Sequence, residues 1–305
     1  MAVSVKAAFE AMVQSLGHQR IVSMVRLIHT PIILNSYGTM ATVLNATLLV
    51  YDVILNLPLE IEHVWTRQWS FLTTLYVIQR YLPFFDTVGV TLHHNFGLSL
   101  SPRICTLDWD ITAWSFVGGV MLSEILLTIR VWAVWERKIP VGMGLLVFFL
   151  ACWVPCCILL ARFLSTVGFE TLPLPNFRGC FISRGSHVLY LCWVLWMVYD
   201  TGTLIMMLIP GISAYRRGGR SELFTAVYRD GVIYYAFIFL VSLINVVVVL
   251  TLPADLVHLL SSFERVLHSL LTSRAILHIR QVGTRLSSPP TLSYEVCTEI
   301  SLSSV

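Results

Sequence analysis

Seven stretches of predominantly apolar residues follow one another along the chain: Gly38 to Leu57, Ser70 to Thr91, Asp110 to Trp135, Ile139 to Phe163, His187 to Gly211, Gly231 to Leu252, and Asp255 to Ile279. A hydrocarbon core about 30 Å thick is crossed by about 20 helical residues. Backbone polar groups in lipid must be satisfied within their own segment, which favours helices over irregular chain. Of the 305 residues, 56% are apolar and 12% charged, against about a quarter charged in a soluble domain. The pattern predicts an all-α, polytopic integral membrane protein, a seven-transmembrane-helix bundle over residues 38–280. Residues 1–37 form an amino-terminal segment, read as either an interfacial helix or an unstructured tail, and 281–305 a flexible cytoplasmic tail rich in Ser and Thr. The seventh stretch is the weakest because Glu264 and Arg265 sit in its middle; without it the chain has six spans.

Cytoplasmic loops collect arginine and lysine. In a seven-span arrangement eleven bases fall on one side (Arg67, Arg130, Arg137, Lys138, Arg216, Arg217, Arg220, Arg229, Arg274, Arg280, Arg285) and seven on the other. This bias predicts an outside amino terminus and a cytoplasmic carboxyl terminus. Cys105 and Cys180 then face an oxidising exterior or lumen, where disulfides persist, and a Cys105 to Cys180 bridge is expected. Cys152, Cys156, Cys157 and Cys192 lie inside spans and read as small packing residues. Pro83 and Pro155 fall within spans and predict kinks.

Ionisable groups at bilayer depth are costly and usually face the bundle interior, where they find partners. Asp52, Arg80, Asp86, Glu124, Asp200, Glu264 and Arg265 are such groups. They are expected to form a ligand or switch cluster in which Arg80 pairs with Glu124, Asp200 or Glu264. The plainer alternative is an ion-paired lock between helices, with Asn45 and Asn245 adding interhelical hydrogen bonds.

The sequence holds no nucleophile elbow, phosphate loop or HExxH motif. His258, His268 and His278 are spaced ten apart, so they scatter around a helix turning about 100° per residue and do not make the i, i+4 pair of a helical zinc site. No cofactor is expected, and a retinal Schiff base is excluded because the two lysines, Lys6 and Lys138, lie outside the last span. With a net charge of +3 and no basic patch, nucleic acid is not an expected partner; the lipid bilayer is.

From Leu48 to Pro83 the chain reads LLVYDVILNLPLEIEHVWTRQWSFLTTLYVIQRYLP, with Tyr51-Asp52 in the first span, Glu60 or Glu62, Trp65 and Trp69 in the following loop, and Arg80-Tyr81-Leu82-Pro83 in the second. This resembles a fungal, basidiomycete-type multi-pass membrane family carrying an amino-terminal domain of unknown function (DUF6533), over about residues 40–84. ILLTIRVWAVWERK, VYRDGVIYYAFIF and RVLHSLLTSRAILHIR look like further segments of the same family. The resemblance implies a receptor-like architecture and supports the seventh span; it implies no activity and no catalytic residue.

The expected function is a receptor-like or sensor protein of the plasma membrane or secretory pathway, with cytoplasmic signalling partners at Arg130 to Lys138 and Arg216 to Arg229. A transporter or channel is the second expectation. A membrane-embedded metal-dependent hydrolase is the third, and an enzyme is the less favoured class. Ligand, coupling partner and oligomeric state carry no signature in the sequence.

Overall fold

A computed structural model describes residues 40, 43–89, 102–170, 181–184, 187–216, 231–251 and 254–287. The amino-terminal segment, Cys180, residues 217–230 of the basic connection and the Ser/Thr-rich end of the tail lie outside these residues. Among the described residues are seven helices: α1 Val43–Trp65, α2 Phe71–Pro83, α3 Pro102–Val134, α4 Ile139–Thr166, α5 Tyr190–Arg216, α6 Gly231–Thr251 and α7 Ala254–Ser287. In α1 and in α3 to α6 the helix is long and apolar enough to cross a membrane. The α-helical part of α2 is 13 residues long, and α7 carries Glu264, Arg265, Arg274 and Arg280 within its 34 residues.

Two short strands depart from the all-α expectation. β1 (Gly168–Glu170) and β2 (Phe181–Arg184) pair antiparallel after α4, with Phe169 opposite Ile182, and β1 packs on α3.

Several helix limits follow from local chemistry. Ser70 caps α2, its hydroxyl accepting from the Thr73 amide at 3.3 Å, which satisfies one of the donors a helix start leaves open. After Pro83 the winding loosens into a π turn, Phe84–Gly89, the expected consequence of a residue that cannot donate to the preceding ladder. Pro155 is carried inside an unbroken α4. α3 and α4 are joined by a turn in which Glu136 and Arg137 both take left-handed conformations, at φ 57° and 56°, and the Trp132 indole N–H closes it by donating to the Lys138 carbonyl at 3.0 Å.

The bundle is apolar outside and polar within. Ile139, Phe71, Met40, Ile54 and Val147 are all well over half exposed, whereas Glu60, Gln79, Asn245, Arg265, Thr272 and Ser273 are fully buried. This inversion suits lipid as solvent. Apolar packing concentrates on one side, where Trp153, Trp193, Trp196 and Tyr199 join α4 and α5; the Trp193 and Trp196 rings meet edge to face at 4.7 Å. α3 and α7 are the central helices. α3 touches α2, α4, α5 and α7, while α7 touches the end of α1, α2, α3 and α6.

Candidate functional site: a polar column along α7

A helix with an apolar stripe buries that stripe; α7 instead buries polar and charged residues along most of its described length. At its carboxyl end Arg280 donates to the His63 carbonyl and to the Thr73 hydroxyl, each at 3.0 Å. Two turns inward, Arg274 Nε lies 2.6 Å from Asp52 Oδ1. The other oxygen of Asp52 is 3.2 Å from Arg80 Nη1, and Arg80 Nε is 2.6 Å from Glu60 Oε2. Tyr81 adds a hydrogen bond to Glu60 at 2.8 Å, and Asn56 one to Asp52 at 3.0 Å. Carboxylate and guanidinium therefore alternate as Glu60, Arg80, Asp52 and Arg274.

This corrects the expected pairing of Arg80. Its partners are Asp52 and Glu60 on α1, and Glu124, Asp200 and Glu264 are elsewhere. The reason is the length of α1, which runs through Glu60 to Trp65, past the span end expected at Leu57. Glu60 thus points into the bundle and is fully buried; it is not a loop residue.

The next layer is uncharged. Gln79 donates to Ser123 at 3.0 Å and to the Ser269 carbonyl at 3.2 Å, and accepts from Ser273 at 3.3 Å. Its backbone carbonyl accepts from the Ser269 hydroxyl at 3.1 Å. One glutamine so ties α2, α3 and α7 with its amide fully used, as a buried amide requires.

Above it the column divides. On one side Arg265 meets Asp86, with Nη2 at 3.2 Å and Nε at 3.3 Å from the same oxygen, and Thr87 donates to the other oxygen at 2.7 Å. A β-carbon at Gly119 would overlap the Arg265 guanidinium, so α3 needs glycine there to admit it. On the other side lie Glu124, Asp200 and Glu264, respectively 2%, 3% and 2% exposed. His268 Nδ1 is 3.3 Å from Glu124, and its Nε2 is 4.0 Å from Glu264. Glu124 and Asp200 face each other. The Ser242 hydroxyl lies 2.5 Å from Asp200 Oδ2 and 3.0 Å from Glu264 Oε1, and the Asn245 amide donates to the second Glu264 oxygen.

The seven charged residues picked from sequence thus form three groups, not one: Asp52 with Arg80, Asp86 with Arg265, and Glu124 with Asp200 and Glu264. Glu60, Arg274, His268, Ser242 and Gln79 complete them. Asn245 bridges helices as expected; Asn45 is buried, with both carboxamide atoms unpartnered among the described residues. The free thiols among those residues are Cys152, Cys156, Cys157 and Cys192. Cys105 is not one of them, and it is buried at 3% exposure. No group of three His, Cys, Asp or Glu side chains among the described residues is arranged to hold a metal ion.

The acidic group has a countable chemistry. A hydroxyl has one proton to donate, yet Ser242 sits between two carboxyl groups at hydrogen-bond distance. One of those contacts can be satisfied by Ser242 as donor; the other needs a proton on the carboxyl. Among the described residues the only basic side chain in reach is His268, and no arginine or lysine pairs with the three acids.

No curated protein matches the chain. Residues 40–85, which hold α1, the turn and α2 with the whole Asp52, Glu60 and Arg80 group, match a family described as a family of unknown function (DUF6533).

Proposed function

We propose that this chain is a seven-helix, receptor-like sensor in which the Glu124, Asp200, Glu264 and His268 group is the switch. The observation that carries the reading is the single Ser242 hydroxyl held between Asp200 and Glu264. Loss or gain of one proton there changes which carboxyl Ser242 and His268 bond, and the four residues with their bridge come from α3, α5, α6 and α7. A change of pairing is therefore a change of contact between helices, and a stimulus that favours one pairing shifts the population of the whole bundle.

The basic residues in the connections orient the bundle with the α1–α2 turn and the end of α7 in the cytoplasm, and with the β1–β2 hairpin outside. There β2 begins next to Cys180 in sequence, β1 packs on the helix that carries Cys105, and the two cysteines form the outer bridge. The α3–α4 turn at Arg130 to Lys138 and the connection from Arg216 to Arg229 offer the inner signalling surface. The resemblance points to a fungal plasma or secretory membrane.

The test is a distance measurement in nanodiscs between spin labels at Glu136 and in the 217–230 connection, read as pH is lowered. The expected result is a shift between two distances in the wild type, lost when Asp200→Asn and Glu264→Gln are combined. A single unchanged distance, together with proton or cation flux in proteoliposomes that Glu124→Gln abolishes, would replace the sensor with a transporter. The burial of all three acids supports the sensor, because a path needs a hydrated lining.

A further inference from the structure

Where the α1–α2 turn meets the end of α7, the bundle holds a cavity of about 350 Å³ lined by His63, Arg67, Ser70, Thr73, Arg280 and Thr284, together with Gln68 and Gly283. None of these lining residues is acidic and none has an apolar side chain. It is an open cavity at the end of the bundle, with Arg67, Gln68 and Ser70 exposed, and it is walled by two guanidinium groups, an imidazole, an amide and hydroxyls.

The charge is uncompensated. Arg280 is half-buried, and its partners among the described residues are a carbonyl, a hydroxyl and the Tyr76 ring 6.0 Å away. Arg67 is exposed and has no ion-pair or hydrogen-bond partner among the described residues. The nearest acid in sequence, Glu62, stands 3.9 Å from His63 with its side chain 68% exposed, turned to solvent. A half-buried cation without a carboxylate is costly to keep, and arginine forks match the oxygens of phosphate.

We propose that this cavity binds a phosphate group, held by Arg67 and Arg280 with Ser70 as a further donor. Either a free phosphorylated solute or the phosphorylated headgroup of a bilayer lipid carries the needed chemistry. The binding does not depend on the switch described above; only the source rests on the proposed orientation, which puts the cavity at the cytoplasmic leaflet.

The experiment uses the full chain in nanodiscs of neutral phosphatidylcholine, titrated with inorganic phosphate and followed by thermal unfolding. A second set of nanodiscs contains a minor fraction of phosphatidylinositol 4-phosphate. Saturable stabilisation by inorganic phosphate assigns a soluble source, and stabilisation only in the second set assigns the lipid. In either case Arg67→Gln binds about tenfold more weakly, from loss of one hydrogen bond to a charged group, and Thr284→Glu abolishes binding. No stabilisation in either set, or an Arg67→Gln protein that binds as wild type does, overturns the proposal. Labelling of Arg67→Cys by an impermeant thiol reagent reports which face the cavity opens on, so a wrong orientation is told apart from a wrong site.

Discussion

The guanidinium of Arg265 occupies the space that a side chain at residue 119 would need. α3 and α7 approach one another there because Gly119 has no β-carbon, and the approach delivers Arg265 to Asp86. Gly119→Ala should force the guanidinium away from its partner and leave a buried carboxylate without its cation. The expected loss is about 2 kcal/mol from overpacking alone, more if the pair separates, read as a lower unfolding temperature in detergent. Gly118, with nothing within 4 Å of an added β-carbon, is the control, and Gly118→Ala should be neutral or slightly stabilising.

Removing Arg80 should be worse. Arg80→Leu leaves Asp52 and Glu60 buried, with Asp52 relying on the half-exposed Arg274, and breaking such a pair costs about 3–5 kcal/mol. Adding Glu60→Gln should recover part of that loss, since a neutral amide can still bond Tyr81. Expression yield and thermal stability of the single and double variants form the check. An Arg80→Leu protein as stable as wild type would show that the alternation from Glu60 to Arg274 contributes nothing.

The helices were largely legible in the sequence, and the pairings were not. Ser70 reads directly as the start of α2 and Gly231 as the start of α6, and Pro83 and Pro155 read as lying inside helices. Partner choice depends on rotation about each helix axis and on where α1 stops, and Leu57-Pro58 looks like an ending. The chain passes through Pro58 without leaving the helix, which brings Glu60 under Arg80. α7 was similarly cut short at Ile279, since arginines near a span end look solvated, whereas Arg274 and Arg280 both bond inward. Gln79, Ser269 and Ser273 are polar at bilayer depth yet uncharged, so they lack the signal that marks Asp52 or Arg80.

Glu136 and Arg137 take left-handed conformations without being glycine, which costs roughly 1 kcal/mol each. Glu136 gives up little else on replacement, because its 3.4 Å pair with Lys138 is exposed on both sides and such pairs are worth little. Glu136→Gly should therefore raise stability by up to about 1 kcal/mol, and Glu136→Val, a branched residue, should lower it. Thermal unfolding of the two variants in the same detergent decides the point.

The proposed bridge between Cys105 and Cys180 makes a separate prediction. Mass spectrometry of the unreduced, protease-digested protein should recover the Cys105 and Cys180 peptides joined, and reduction should release both. Cys105→Ser and Cys180→Ser should destabilise to the same degree, with the double variant no worse than either. Unequal losses would mean that the cysteines act separately.

The alternation of Glu60, Arg80, Asp52 and Arg274 has a mechanical meaning. Glu60, Arg80 and Asp52 are each gripped from two directions and Arg274 closes the series on Asp52, so α1, α2 and α7 cannot slide past each other by half a turn without separating opposite charges. They form a keystone wedge. Under the proposed switch, relative motion falls to the seam between that wedge and α3, α5 and α6, which is crossed by Gln79 bonded to Ser123 and, at Ser242 and His268, by carboxyl groups that share too few protons.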